Sequence, residues 1–309
     1  MNNRLRVAVI GVGHLGQHHA RLLGSMDGVE LVGVVDTKPG RADDVAARYG
    51  TRAWPIASDL LGHIDAVTIA VPTISHLDVA LPFLERGVAA LVEKPLAPTV
   101  ADADRLMSTA ARSGATLAAG HTERFNPAVV AALPLVSDPR FVEVHRLGTF
   151  PERSLDIDVI FDLMIHDLDL LLASVRSDVV SIEAVGVNVL TPRTDIANAR
   201  LRFASGCIAN VTASRISRER VRKVRFFQHD SYVSIDYGAQ EVEVYRLAPR
   251  GELPPIQGGK LDVVNDEPLR RELADFVDAV RSRRAPGVTG QAGRDALELA
   301  TRIAEKMAE

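Results

Sequence analysis

A single cysteine, Cys207, in a chain of 309 residues excludes an intrachain disulfide and points to a reducing compartment. Apolar runs such as Ala66 to Val71 are far too short to span a bilayer. The opening Met-Asn-Asn-Arg runs into a strand without a charged-then-apolar export signal, so the expected address is cytoplasmic, with no membrane insertion. Charge of one sign is also lacking. A net charge of -4, with acidic and basic residues interspersed, gives no footprint for nucleic acid or an anionic membrane. No internal repeat and no low-complexity tract is present. What the chain does have is apolar content of 47% in a length beyond one typical domain, enough for two cores.

The first part alternates β-branched apolar runs with amphipathic stretches of helical length, the pattern of a doubly wound parallel sheet covered by crossover helices. Strands are expected at Leu5 to Ile10, Val29 to Val35, Ala66 to Ala70, Ala89 to Val92 and Ala115 to Ala119. Helices are expected near Leu15 to Leu23, Arg41 to Tyr49, Ser75 to Arg86 and Val100 to Arg112, the last capped by Thr99. After about His121 the pattern changes. A helix from Pro127, a strand at Phe141 to Leu147 and a helix at Asp158 to Ala173 lead into six extended segments between Val179 and Arg246 with no helix among them. Such strands pair antiparallel, so the second part reads as an α+β domain with one open, mainly antiparallel sheet. Ala248 to Gly259, rich in Pro and Gly, reads as a surface loop, and two helices, Leu269 to Arg284 and Gln291 to Met307, close the chain. The expected domains are 1–122 and 123–309.

Gly11-Val12-Gly13-His14-Leu15-Gly16 follows an apolar strand and opens a helix. Its three glycines fall where a tight turn, a close approach to a pyrophosphate and helix–strand packing each require a missing Cβ. A second strand ends at Asp36, twenty residues beyond Gly16. A carboxylate there accepts hydrogen bonds from ribose hydroxyls and repels a 2′-phosphate, which favours NAD over NADP, although Lys38 stands close by. Val71-Pro72-Thr73 ends another strand at the same edge, placing Thr73 and His76 to meet the pyrophosphate or the nicotinamide ribose; a helix-capping or surface role for His76 is the alternative.

Glu93-Lys94-Pro95 ends the next strand, so Lys94 emerges at this carboxyl edge as a hydrogen-bond donor and possible proton carrier. Further on, Asp162 and His166 are four apart on one helical face. An aspartate bonded to an imidazole fixes its tautomer and makes the other nitrogen a better base. Metal binding by Asp158, Asp162, His166 and Asp169 is the competing reading; hydride transfer from an alcohol needs a base instead, and no metal is expected. Asp167 fits a solvated acidic face.

The glycine loop, Pro72-Thr73-x-x-His76, Glu93-Lys94-Pro95, Arg124-Phe125-Asn126-Pro127 and Asp162-x-x-x-His166 resemble the Gfo/Idh/MocA oxidoreductases over nearly the whole chain. The resemblance implies a Rossmann domain and an α+β domain whose sheet forms the contact of a homodimer or homotetramer. It implies catalysis by Lys94, Asp162 and His166, and NAD held by Gly11, Gly13, His14, Leu15, Gly16, Asp36, Thr73, His76 and Glu93. More narrowly, Gly120 to Ala128, His145-Arg146, Asp162 to Asp169 and Asp195 to Arg200 resemble members that oxidise the 3-hydroxyl of UDP-N-acetylglucosamine on the way to lipid A or surface polysaccharide. A nucleotide sugar needs cationic donors for its pyrophosphate. Arg124, His145, Arg146 and Arg153 are candidates, with Asn126 beside them, and Arg215, Arg218, Arg220, Arg222 and Lys223 form a later cluster that also reads as a solvated hairpin edge. A free polyol or sugar as substrate, an NAD-binding sensor without turnover, and in-place recycling of the cofactor are the other readings.

Overall fold

The computed structural model describes residues 4–150 and 157–309. Two compact units divide the chain: 1–122 with Leu269–Arg294, and Glu123–Pro268 with Asp295–Glu309.

In the first unit, β1 (Leu5–Ile10), β2 (Val29–Val35), β3 (Ala66–Ile69), β4 (Ala89–Glu93) and β5 (Leu117–Gly120) form a parallel sheet in the order β2-β1-β3-β4-β5. The helices α1 (Gly16–Gly24), α2 (Arg41–Tyr49), α3 (His76–Glu85) and α4 (Val100–Ser113) make the crossovers. Thr99 caps α4, its hydroxyl accepting the Asp102 N–H at 3.1 Å. The winding reverses between β1 and β3, and ligands of open parallel sheets bind outside the carboxyl ends of the strands at such a point.

The second unit holds α5 (Pro127–Ala132), β6 (Phe141–Leu147), a π-helical turn at Ile160–Met164 that runs directly into α6 (Ile165–Val175), and β7 (Val179–Val187). Then follow β8 (Ile196–Phe203), β9 (Ile208–Ser214), β10 (Val221–Phe227), β11 (Ser231–Asp236), β12 (Glu241–Leu247) and β13 (Ile256–Lys260). The eight-stranded sheet runs β13-β12-β11-β10-β6-β9-β8-β7 and is antiparallel except where β6 lies parallel to β9. Val142, Val144, Val211, Val224 and Phe226 on its inner face share one core with Met164, Ile165 and Leu168.

Two expectations are corrected. Part of the segment read as a loop is β13, because Gly258 brings the strand against β12: a Cβ there would overlap the Val244 carbonyl oxygen. The closing segment Leu269–Arg294, assigned by sequence to 123–309, belongs to the first unit. In α7 (Pro268–Ser282), Leu269, Leu273, Phe276 and Val277 are amphipathic partners for Val7, Val9 and Leu91 of the parallel sheet. The last helix, α8 (Gly290–Ala308), supplies Ala296, Leu299, Ala300 and Ile303 to the second unit's core.

One buried polar hub fixes the entry to the π turn. The Asp195 carboxylate accepts the backbone N–H groups of Val189, Leu190 and Thr191 at 2.6–2.9 Å. It also accepts Arg215 Nε at 2.8 Å, while Arg215 Nη1 donates to the Ile157 carbonyl at 2.6 Å. Next door, the Thr194 N–H donates to Asp158 Oδ1 at 2.8 Å and the Val159 N–H to the Thr194 carbonyl at 3.0 Å. Burial alone would raise the Asp195 pKa, but the Leu190 N–H, Arg215 and Thr191 hold it well below the usual carboxylate range. The folded value therefore lies below that of the unfolded chain, about 3.9. The stability it contributes is fully present above about pH 5 and is lost as pH falls through the folded value. Asp195→Asn is expected to lower unfolding stability at pH 7 by about 3 kcal/mol and to flatten its acid dependence, as read from urea melts at a series of pH values.

Candidate functional site

The glycine loop leaves β1 at the winding reversal. Gly11 has φ +81°, and a Cβ there would lie 2.7 Å from the Ala70 carbonyl oxygen at the exit of β3. A Cβ at Gly16 would overlap the Gly11 carbonyl oxygen, so neither position admits a side chain. Gly13 differs: a Cβ there meets only Arg41 Nη1, at 3.5 Å. Its surroundings are open on the side where a pyrophosphate needs backbone to approach. Behind the loop, α1 begins with no acidic residue in its first turn, and the positive end of its dipole suits an anion. These cavities of a missing Cβ fit a dinucleotide.

Asp36, at the exit of β2, accepts the Val12 N–H at 2.9 Å on Oδ2 and the Lys38 N–H at 2.8 Å on Oδ1. Arg41 Nη1 approaches both oxygens at 3.3–3.4 Å. Sequence reasoning passed over Arg41; its signal was its place at the start of α2, five residues after Asp36. His14 is exposed, its ring edge-on to His18 at 5.8 Å, while Leu15 and Thr73 are half-buried at the same sheet edge.

Lys94 is half-buried and follows β4 through a cis peptide bond to Pro95. Its N–H donates to the Glu93 carboxylate at 3.3 Å. Glu93 is buried, 3.2 Å from Nε2 of the fully buried His19, with no room at Gly120 for a Cβ beside it. Glu93, expected to meet a cofactor, thus lies beneath the Lys94 turn with one carboxylate oxygen accepting the Lys94 N–H. His76 is likewise enclosed. Its ring is 1% exposed, with Nδ1 2.9 Å from the Pro95 carbonyl and Nε2 3.0 Å from the Val71 carbonyl, so both nitrogens are spent inside the protein.

In the second unit, Asp162 lies in the π turn and His166 in the first turn of α6, both half-buried. Either helical pitch keeps residues four apart on nearly one face. Single π turns inside α-helices recur at functional sites, where one extra residue re-aims the side chains around it. Flanking carboxylates are occupied elsewhere. Asp158 accepts the Thr194 N–H, and Asp169, 2% exposed, lies 3.7 Å from Arg124 Nη1. Among the described residues, no group of three or more His, Cys, Asp or Glu is arranged to hold a metal ion.

Asp167 is not part of a solvated face. It is buried and forms a two-pronged pair with Arg146, Nε to Oδ2 at 2.6 Å and Nη2 to Oδ1 at 3.0 Å, while Arg146 Nη1 donates to Glu123 at 3.1 Å. Burial pushes the Asp167 carboxyl above its usual range despite Arg146, and pushes the neighbouring Tyr237 phenol up as well. Arg146, 4% exposed, thus braces α6 against β6. His145 is one residue away and so on the other face of the sheet, away from α6. Asn126 is also internal: its carbonyl caps α5 by accepting the Ala128 N–H, and its amide donates to the Tyr237 carbonyl at 3.1 Å. Of the later cluster, Arg215 is the buried hub partner, Lys223 pairs with Asp236 at 3.2 Å, and Arg218, Arg220 and Arg222 are exposed. Arg153 lies outside the described residues. Arg124, half-buried, is the remaining cationic candidate near α6 from the first set.

Comparison with known proteins agrees with this geometry. Residues 5–121 match the family model described as an oxidoreductase family with an NAD-binding Rossmann fold. Residues 138–230 match the Gfo/Idh/MocA C-terminal domain. The chain is 39% identical to UDP-N-acetylglucosamine 3-dehydrogenase of Acidithiobacillus ferrooxidans, over 97% of this chain and 96% of that one. It is 27% identical to scyllo-inositol 2-dehydrogenase (NAD(+)) of Bacillus subtilis, over 94% and 90%. A solved structure of the Acidithiobacillus ferrooxidans enzyme superposes with a TM-score of 0.92 at 38% identity, covering 98% of this chain and 97% of that chain. Levoglucosan dehydrogenase in complex with NADH shares the fold, with a TM-score of 0.89 at 17% identity over 99% and 97%.

The two kinds of glycine separate binding from folding. Gly13→Ala is expected to leave the melting temperature within about 2 °C, because the site is open, and to weaken NADH by about tenfold in a fluorescence titration. Gly16→Ala, which forces backbone apart, is expected to lower the melting temperature by about 5 °C or more.

Proposed function

Because this chain belongs to the Gfo/Idh/MocA family of NAD-binding oxidoreductases, we propose that it oxidises the 3-hydroxyl of UDP-N-acetylglucosamine to a ketone. The observation that carries this reading is the 39% identity, end to end, with an enzyme named for that reaction. The ketone would then serve amino transfer, giving a diamino sugar for lipid A or surface polysaccharide. NAD is the cofactor we assign, on the strength of Asp36 at the ribose position, where a carboxylate disfavours a 2′-phosphate. When bound, the nicotinamide supplies the hydride acceptor.

The chain's own residues handle the proton and the oxygen. His166 takes the proton of the hydroxyl on a ring nitrogen, and Asp162 on the preceding turn orients the imidazole and favours its charged form. Lys94 is assigned a hydrogen bond to the reacting oxygen, holding it as its charge develops. Thr73 and the glycine loop hold the dinucleotide, and Arg124 serves the sugar-nucleotide phosphates.

A homo-oligomer in the cytoplasm completes the reading. On the outer sheet face, Phe141, Phe227, Tyr232 and Tyr245 form a continuous row across β6, β10, β11 and β12, with ring centroids 5.2–6.4 Å apart. Phe227 is 36% and Tyr245 43% exposed in the single chain, an aromatic surface of the kind that interfaces cover. No described helix is long and apolar enough to cross a membrane.

Lys94→Met and His166→Ala are each expected to lower kcat by about a hundredfold or more while leaving the NADH Kd within about threefold. NADH formation followed at 340 nm with a substrate panel tests the substrate: turnover on scyllo- or myo-inositol, with none on UDP-N-acetylglucosamine, would overturn it in favour of a polyol dehydrogenase. Light scattering of the eluted protein is expected to give a dimer or tetramer, and Tyr232→Glu is expected to shift it towards the monomer.

A further inference from the structure

The enclosed imidazole of His76 has no place in the chemistry just described, yet it joins two strand exits of the parallel sheet. Val71, whose carbonyl faces Nε2 at 3.0 Å, follows β3; Pro95, whose carbonyl faces Nδ1 at 2.9 Å, follows β4 and comes directly after Lys94. A neutral imidazole carries one N–H, so it donates to one of these carbonyls and sets a lone pair against the other; only the imidazolium donates to both. Burial lowers the pKa of His76, against the pull of the Val71, Pro95 and Leu96 carbonyls and the charge of Glu93. On the other side of Lys94, its own N–H is anchored to the Glu93 carboxylate, which His19 supports. The peptide unit before Lys94 is thus tied down by Glu93, and the Pro95–Leu96 unit, one residue beyond the bond that follows Lys94, is tied down by His76.

We propose that His76 is a positioning residue for Lys94: its Nδ1–H holds the Pro95 carbonyl, and through it the Lys94 backbone, against the exit of β3. It touches neither substrate nor cofactor. The inference rests on Lys94 acting at the reacting oxygen.

Two substitutions divide the ring into its halves. In His76→Asn the amide takes the place of Nδ1 and keeps the bond to Pro95; in His76→Gln it takes the place of Nε2, faces the Val71 carbonyl and gives up the bond to Pro95. Asparagine is expected to hold kcat within about threefold of wild type, while glutamine lowers it by about ten- to a hundredfold, the scale of a misplaced reacting group. The glutamine variant is also expected to move the limb of the kcat–pH profile that Lys94→Met abolishes, with the NADH Kd by fluorescence within about threefold. Equal kcat values and an unmoved limb in both variants overturn the inference while a dead Lys94→Met leaves the function reading intact. Turnover retained in Lys94→Met overturns both. Should the glutamine variant not fold, ring 15N spectra of the wild-type protein decide: a proton on Nδ1 is expected, and a neutral ring protonated on Nε2 overturns the proposal.

Discussion

A parallel sheet whose winding reverses must leave the carboxyl ends of two adjacent central strands without a crossover above them, and this constraint organises the first unit. At β1 and β3 the departing chains turn away from each other, so their backbone groups lose their ladder partners at the place where a ligand enters. Each such group is satisfied individually. The Gly11 N–H donates to the Val35 carbonyl at 2.8 Å, the Val12 N–H to Asp36, and the Val71 and Pro95 carbonyls face His76. Polar side chains at this edge are therefore consumed in proportion to the strand exits they repair, and those left over are available for chemistry.

The second unit meets a different demand. Its sheet presents an apolar face to α6, but the π turn and α6 together carry Asp162, His166, Asp167 and Asp169 within about two turns. Burying that much charge is costly unless each group finds a partner, since an unpaired buried carboxylate loses several kcal/mol of hydration. Arg146 meets Asp167 from β6, Arg124 faces Asp169, and the Asp195–Arg215 hub ties down the entry at Ile157. With those pairs made, the orientation of the helix on the sheet is overdetermined, and the two groups assigned to proton handling project from a rigid element.

The architecture was legible because period and punctuation agree. Strand runs of alternating or continuous β-branched residues and glycines at helix ends placed twelve of the thirteen strands within a few residues. β13 was hidden because Gln257-Gly258-Gly259 has loop composition, and only the partner strand gives its glycines a strand role. Both closing helices were legible as helices, but the place of α7 in the first unit was not, since an apolar stripe does not name the sheet it packs on. In the site, the glycine loop and Asp36 were readable from spacing. Glu93, His76, Asn126 and Arg146 were readable as motif members but not as internal partners, because residue type is silent about burial. The difference between His145 and Arg146 is the clearest instance: one residue along a strand is one whole face of the sheet.

Burial, not residue type, separates the groups proposed for the chemistry from their framework here. Lys94, Asp162 and His166 are all half-buried, whereas their sequence neighbours Glu93, Asp167 and Asp169 are buried at 5%, 1% and 2% exposure. A group that must exchange a proton needs a path to solvent or substrate and both protonation states within reach, and full enclosure among fixed partners removes one of the two. A group that must hold a backbone in place gains from the opposite, because a hydrogen bond shielded from water is stronger and its loss leaves an unsatisfied partner. The same residue type, Asp, thus stands in both sets within a few positions, half-buried at Asp162 and buried at Asp167 and Asp169. The alternation along Glu93-Lys94-Pro95 and Asp162 to Asp169 is that division of labour written at the period of the strand exit and of the helix.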